Sequence, residues 1–72
     1  MYVLDGVKIK QQRENLKLTQ IDVFKSTNYT LTPQELSRIE NGKKTTLVSS
    51  TLAELAKALG LNASDIMKEI EG

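Results

Sequence analysis

Four six-residue segments of the chain share one arrangement of apolar and polar positions. Each begins with Leu, continues with Asp, Thr or Asn, and reaches an aliphatic residue four positions after that polar residue. At a helix start this is a hydrophobic staple around an N-cap: the polar side chain accepts a bond from a free backbone N–H, and the two apolar residues pack together. The segments are residues 4–9, 18–23, 31–36 and 61–66, and they predict helix starts just after Asp5, Thr19, Thr32 and Asn62.

The segment at Thr32 carries further start signals. Pro33 stands at the first helical position, where no N–H donor is needed, and Glu35 is placed to complete a capping box with Thr32. Asp22 and Asp65 occupy the same third helical position in their own segments, where the helix dipole favours a negative charge. The helix that begins after Thr32 is therefore the best defined by its sequence.

A further helix is predicted before Gly60. Its apolar residues recur at i, i+3, i+4 and i+7, which makes one stripe on a helix; they are Leu52, Leu55, Ala56 and Leu59. Ser49 or Ser50 is available as its N-cap, and Gly60 can adopt the left-handed conformation that ends it.

The predicted helix ends complete an all-α architecture. Gly42 and Asn28 tolerate a positive φ, and they are predicted to end the helices begun at Thr32 and Thr19. Residues 1–5 are interpreted as an N-terminal arm, in which residues 2–4 are too short to be more than an arm or an edge strand. The helices are predicted at 6–16, 20–27, 33–41, 50–59 and 63–71, so the expected fold is one compact five-helix domain over residues 1–72.

Composition restricts the chemistry more than the fold. The 72 residues include neither Cys nor His, which removes thiol catalysis, disulfides, histidine acid–base chemistry and the common zinc sites. We therefore expect no cofactor, no metal and no enzyme. No apolar run approaches the roughly 20 residues that cross a bilayer, and no signal peptide is apparent, so a cytoplasmic protein with no membrane partner is expected. So short a chain has a marginal core, which favours dimerisation.

Charge is unevenly distributed along the chain. Residues 1–44 hold eight Lys and Arg against five Asp and Glu, a net of +3, whereas residues 45–72 hold two against four, a net of −2; together these give the +1 of the whole chain. The distribution indicates that one part of the surface meets an anion, although a solvated surface of mixed charge gives the same counts.

The second and third predicted helices, within about residues 20–41, carry the candidate function. If Leu36 and Ile39 face inward, the third helix presents Gln34, Ser37 and Arg38 outward. An α-helix fits the DNA major groove, where Arg can form paired bonds with guanine and Gln with adenine. Taken by themselves, these residues favour an ordinary solvated helix face over a DNA-binding one.

Three blocks of sequence resemble the phage repressor and Cro-like helix-turn-helix family, also called the Xre family. They are Ile-x-x-x-Arg-Glu followed by Leu-Thr-Gln within residues 9–20, Leu-Ser-Arg-Ile-Glu-Asn-Gly-Lys at residues 36–43, and Leu-Ala-Glu-Leu-Ala-Lys-Ala-Leu-Gly at residues 52–60. The resemblance covers about residues 6–68. It implies a lambda-repressor-like DNA-binding domain whose partner is double-stranded DNA.

The resemblance also implies roles for individual residues. The base-contacting positions correspond to Pro33, Gln34 and Arg38, with Glu35 and Ser37 nearby. The phosphate-contacting positions correspond to Gln20, Asn41 and Lys43. Lys44 and Lys25 are added as candidates because they are positively charged. Arg13 and Glu40 match a pair that forms a partly buried salt bridge in relatives, so their implied role is structural.

This sequence departs from the family pattern at the turn before the third helix. Residues 27–32 make that turn about two residues longer than usual, and Asn28 stands where the family commonly has Gly. Phe24 replaces a small Ala that lets the two helices approach each other, and the longer turn is a way to accommodate its ring. Tyr29 is expected either to plug the end of the second helix or to lie against the DNA backbone.

Family members usually dimerise, which implies a homodimer that binds a near-palindromic operator. The predicted interface is the last helix, through Ile66, Met67 and Ile70, although Ile66 and Ile70 also suit the core. The leading interpretation is a small bacterial, phage or mobile-element repressor at the nucleoid. The alternatives are an antitoxin that masks a toxin partner while repressing its own operon, and the controller protein of a restriction–modification system.

Overall fold

Residues 1–71 fold into four helices and a two-stranded sheet. The computed structural model describes residues 1–71. In chain order its elements are β1 (Tyr2–Leu4), α1 (Gly6–Asn15), α2 (Gln20–Ser26), α3 (Pro33–Glu40), α4 (Ser49–Ala58), a 3₁₀ turn (Ala63–Ile66) and β2 (Met67–Glu69). The first four predicted helices are confirmed, with bounds that differ from the prediction by no more than one residue.

Local caps begin the first two helices as their sequences predict. The Asp5 carboxylate accepts a bond from the N–H of Lys8 at 3.2 Å. Thr19 and Asp22 form a complete capping box: the Thr19 hydroxyl accepts from the Asp22 N–H at 3.0 Å, and the Asp22 carboxylate accepts from the Thr19 N–H at 2.8 Å. The bond that the Thr19 N–H donates to the carboxylate favours its ionised form and so lowers the pKa of Asp22.

The predicted cap of α4 is wrong. Val48 is the N-cap residue and gives no side-chain hydrogen bond, whereas Ser49 and Ser50 lie inside the first turn. The helix is held by packing instead, because Leu55 and Ala56 on its apolar stripe are buried. Tertiary burial of an amphipathic face stabilises a helix whether or not its first turn is capped.

The predicted fifth helix is also wrong, and the fold is therefore mostly helical rather than all-α. After Asn62 the chain makes only the 3₁₀ turn, and then Met67–Glu69 pairs antiparallel with Tyr2–Leu4. We call this pair of strands the terminal ribbon. The Ile70 N–H donates to the Met1 carbonyl and the Asp5 N–H to the Ile66 carbonyl, each at 2.9 Å. A terminal helix would satisfy only its own backbone, whereas the ribbon also gives partners to backbone groups at the N-terminal strand.

The core lies where the helices and the base of the ribbon meet. It contains Leu4, Ile9, Val23, Leu31, Leu36, Ile39, Leu55, Ala56, Leu59 and Ile66. Gly6, at the start of α1, lies directly against the backbone at the end of α3: a Cβ at this position would overlap the carbonyl oxygen of Ile39. Only a residue without a side chain permits this approach of α1 to α3.

Candidate nucleic-acid interface

The outer side of α3 carries the residues predicted to contact bases. The Thr32 hydroxyl accepts a bond from the Glu35 N–H at 3.2 Å, which caps the helix. Leu36 and Ile39 are 0% and 1% exposed, so they fix the face of α3 that turns toward the core. On the remaining surface, Gln34 and Arg38 are exposed, while the other three predicted base-contact residues are half-buried: Pro33, Glu35 and Ser37.

Hydrogen bonds and an aromatic contact stabilise the long turn before α3, residues 27–32. Thr27 is fully buried, and its hydroxyl donates to the Phe24 carbonyl at 3.1 Å and accepts from the Leu31 N–H at 3.3 Å. Asn28 and Tyr29 both adopt left-handed backbone conformations, with φ of 56° and 61°. The Tyr29 ring meets the Phe24 ring edge to face, with centroids 5.1 Å apart. The turn therefore accommodates the large Phe24, and Thr27 is a structural residue that the sequence analysis missed.

The turn after α3 holds three of the predicted phosphate-contact residues. The Lys43 and Lys44 N–H groups both donate to the Arg38 carbonyl, at 2.8 and 3.2 Å. Gly42 has the φ of +76° that this fold-back needs. Asn41 and Lys43 are exposed, and the Asn41 amide lies 3.4 Å from the Ser37 hydroxyl. Cationic side chains therefore extend the outer surface of α3 beyond its last residue.

An ion pair ties α1 to the end of α3. Arg13 Nε lies 2.7 Å from Glu40 Oε2 and Nη2 lies 3.1 Å from Oε1, with side chains only 12% and 4% exposed. The hydrogen bond to Glu40 raises the pKa of Arg13. Arg13 Nη1 also donates to the Leu18 carbonyl at 2.8 Å, and Gln20 Nε2 donates to Glu40 at 3.3 Å. Gln20, a predicted phosphate contact, is therefore anchored by one of its amide hydrogens.

A second, more exposed ion pair lies beside the outer surface of α3. Lys44 Nζ is 3.4 Å from Glu35 Oε2, and the two side chains are 37% and 39% exposed. Glu35 does not close the predicted capping box with the Thr32 N–H: its Oε2 faces Lys44 in the following turn, and its Oε1 accepts from the Thr32 hydroxyl at 3.5 Å. Within residues 1–71 no salt bridge forms on Arg38, and Lys25 on α2 is exposed and without one as well.

The three predicted dimer residues lie in different surroundings, because the chain forms a strand here and not a helix. Ile66 is fully buried in the core, so its assignment to an interface is wrong: none of its side chain is exposed for a second chain to contact. Met67 is half-buried and Ile70 is 37% exposed. Met1, just before β1, and Tyr2, in β1, are 76% and 62% exposed. The apolar surface at the chain ends therefore belongs to both strands rather than to one helix.

The described part of the chain has neither a metal-ligand group nor a helix suited to span a membrane. Residues 1–71 contain no group of three or more acidic, Cys or His residues arranged to hold a metal ion. None of the helices formed by these residues has the length and apolar character that crossing a membrane requires.

Comparison with known proteins identifies the family. A sequence model described as helix-turn-helix matches residues 9–66, from the middle of α1 to the end of the 3₁₀ turn. The match includes α2, the long turn, α3 and α4 in full. Comparisons with curated proteins and with solved structures found no match.

Proposed function

This chain belongs to the Xre-like helix-turn-helix family of DNA-binding regulatory domains, and from this premise we propose that it is a transcriptional repressor that reads a specific operator. The observation that carries the proposal is the exposed edge of α3, where Gln34 and Arg38 face solvent from a helix fixed by its buried side. A helix held in this way can enter the major groove without reordering, because its cap and its core contacts are already made.

Phosphate contacts orient the protein on the duplex in this proposal. Asn41 and Lys43 lie just past α3, Gln20 lies at the start of α2, and Lys25 adds a second cation on α2. Lys44 is the fifth candidate, although its ammonium already faces Glu35. Such contacts give affinity without sequence information, and they make binding weaken as salt rises.

Selection of bound duplexes from a random pool tests the proposal directly. We expect one enriched sequence motif, and a gel-shift titration at low ionic strength that separates this motif from a scrambled duplex. If the purified protein ignores every duplex even at low ionic strength, the proposed function is wrong.

Replacing Arg38 with Ala is expected to remove most of the discrimination between the selected duplex and one altered at a contacted guanine. A paired Arg–guanine contact contributes about 1–3 kcal/mol to such discrimination. The measurement is the ratio of the two dissociation constants at fixed salt. Lys57→Ala, which removes an exposed cation from α4, is the matched control and should leave the ratio unchanged. Full discrimination by the Arg38 variant would exclude Arg38 as a base-reading residue.

We further propose that the protein binds its operator as a homodimer through the ribbon. Met67, Ile70 and Tyr2 offer apolar surface there, and a single domain that reads a few base pairs binds weakly. Two copies would place their α3 helices about 34 Å apart, one helical turn of DNA. Sedimentation of the protein with its selected duplex is expected to give two chains per duplex and a motif with two-fold symmetry. One chain bound to an asymmetric motif would contradict the dimer.

A further inference from the structure

One carboxylate on α3 has two cations as possible partners. Glu35 and Arg38 are three residues apart, which makes them neighbours on one helix surface and a favourable i, i+3 ion pair. In the structure, however, Glu35 pairs with Lys44 at 3.4 Å. Within residues 1–71 the guanidinium of Arg38 forms no salt bridge, and its side chain is exposed. By spacing along the helix Arg38 is a second possible partner of Glu35, and in the structure Lys44 is the one that pairs with it.

The position of Lys44 is fixed by backbone bonds on both sides. Its own N–H donates to the Arg38 carbonyl at 3.2 Å, next to the bond from Lys43. The carbonyl of Thr45, the next residue, accepts from the Leu4 N–H of β1 at 2.9 Å. The chain is therefore tied to α3 before Lys44 and to the ribbon after it. A side chain anchored in this way loses less freedom when it forms an ion pair than one on a free loop.

We propose that Lys44 is a positioning residue for base recognition, which holds the Glu35 carboxylate and thereby keeps Arg38 free to reach a base. The inference rests on the proposed function and adds to it a role for a residue that otherwise counts only as a phosphate contact. Without Lys44, the Glu35 carboxylate turns to Arg38, and the guanidinium must break that pair before it can bind guanine. Glu35 would also present an unopposed negative charge to the DNA.

The test separates this role from a phosphate contact by measuring discrimination rather than affinity. Lys44→Ala is expected to lower the ratio of dissociation constants for the guanine-altered and selected duplexes about two- to five-fold, the range typical of an exposed ion pair. The Lys44→Ala/Glu35→Gln variant should recover the ratio, because the competing carboxylate has lost its charge. Circular dichroism melts of both variants establish that the fold is retained.

Lys43→Ala is the matched control, since Lys43 is an exposed cation in the same turn without the ion pair. It should weaken both duplexes equally, reduce the slope of log affinity against log salt by about one, and gain nothing from Glu35→Gln. If Lys44→Ala behaves in this same way, the inference is wrong and Lys44 is a phosphate contact. If the unmodified protein binds no duplex, the proposed function fails, and the inference fails with it.

Discussion

Replacing Glu40 with Ala is expected to lower the free energy of unfolding by about 3–5 kcal/mol, the cost of leaving one member of a buried ion pair without its partner. The Arg13 side chain is only 12% exposed, and it would keep its charge while losing both of its bonds to the carboxylate. Gln20 would lose its acceptor too. A domain of 72 residues has a total stability of about 4–11 kcal/mol, so the variant should be largely unfolded at modest urea concentrations.

Urea denaturation followed by circular dichroism measures this change. Glu14→Ala, which removes an exposed carboxylate from α1, is the control and should change stability little. The Arg13→Met/Glu40→Leu variant should recover most of the loss, because apolar side chains of similar volume can replace a buried ion pair. A Glu40→Ala loss below about 1 kcal/mol, typical of surface pairs, would show that the pair does not hold α1 to α3.

Gly6→Ala is expected to destabilise the protein by about 3 kcal/mol, the upper end of the usual range for overpacked positions. Helix propensity alone predicts the opposite sign, since Ala is favoured over Gly by about 1 kcal/mol inside a helix. The added methyl group would overlap the Ile39 carbonyl oxygen and approach the backbone of Glu40. These are backbone atoms, so the start of α1 must move away from the end of α3.

Gly42→Ala separates this steric effect from the loss of backbone freedom. A Cβ at Gly42 meets nothing within 4 Å, but the residue has a φ of +76°. Its replacement should cost about 1–2 kcal/mol from the backbone conformation alone. Chemical denaturation of the two variants should show the larger loss for Gly6→Ala. Stabilisation by Gly6→Ala would mean that α1 and α3 are not in contact there.

The parts of the fold that sequence predicts well are those decided by neighbouring residues. The caps at Asp5 and Thr19 involve hydrogen bonds across three residues, and the hydrophobic staple gives the same positions. The inward face of α3 also follows from its sequence, because Leu36 and Ile39 define one side of the helix. The exposed edge that carries Gln34 and Arg38 is then the opposite side.

Three features that the sequence did not predict depend on residues that are not neighbours in the chain. Met67–Glu69 lies in a segment with a good helix start, and its strand conformation is decided by Tyr2–Leu4 at the other end of the chain. In the sequence Gly6 is only a residue of low helix propensity, and its role appears once the fold brings the end of α3 into contact with it. At the site, the pairing of Glu35 with Lys44 depends on the fold-back after Gly42. Local patterns do not encode such contacts.

The terminal ribbon has a consequence for the order in which the molecule assembles. The backbone bonds within each helix and turn join residues that are near in sequence, whereas β1 and β2 are separated by more than 60 residues. Closing so large a loop is entropically costly until the segments between are already compact. We therefore expect the ribbon to form late in folding and to open early. A dimer joined through it would assemble only after each copy had completed its folding.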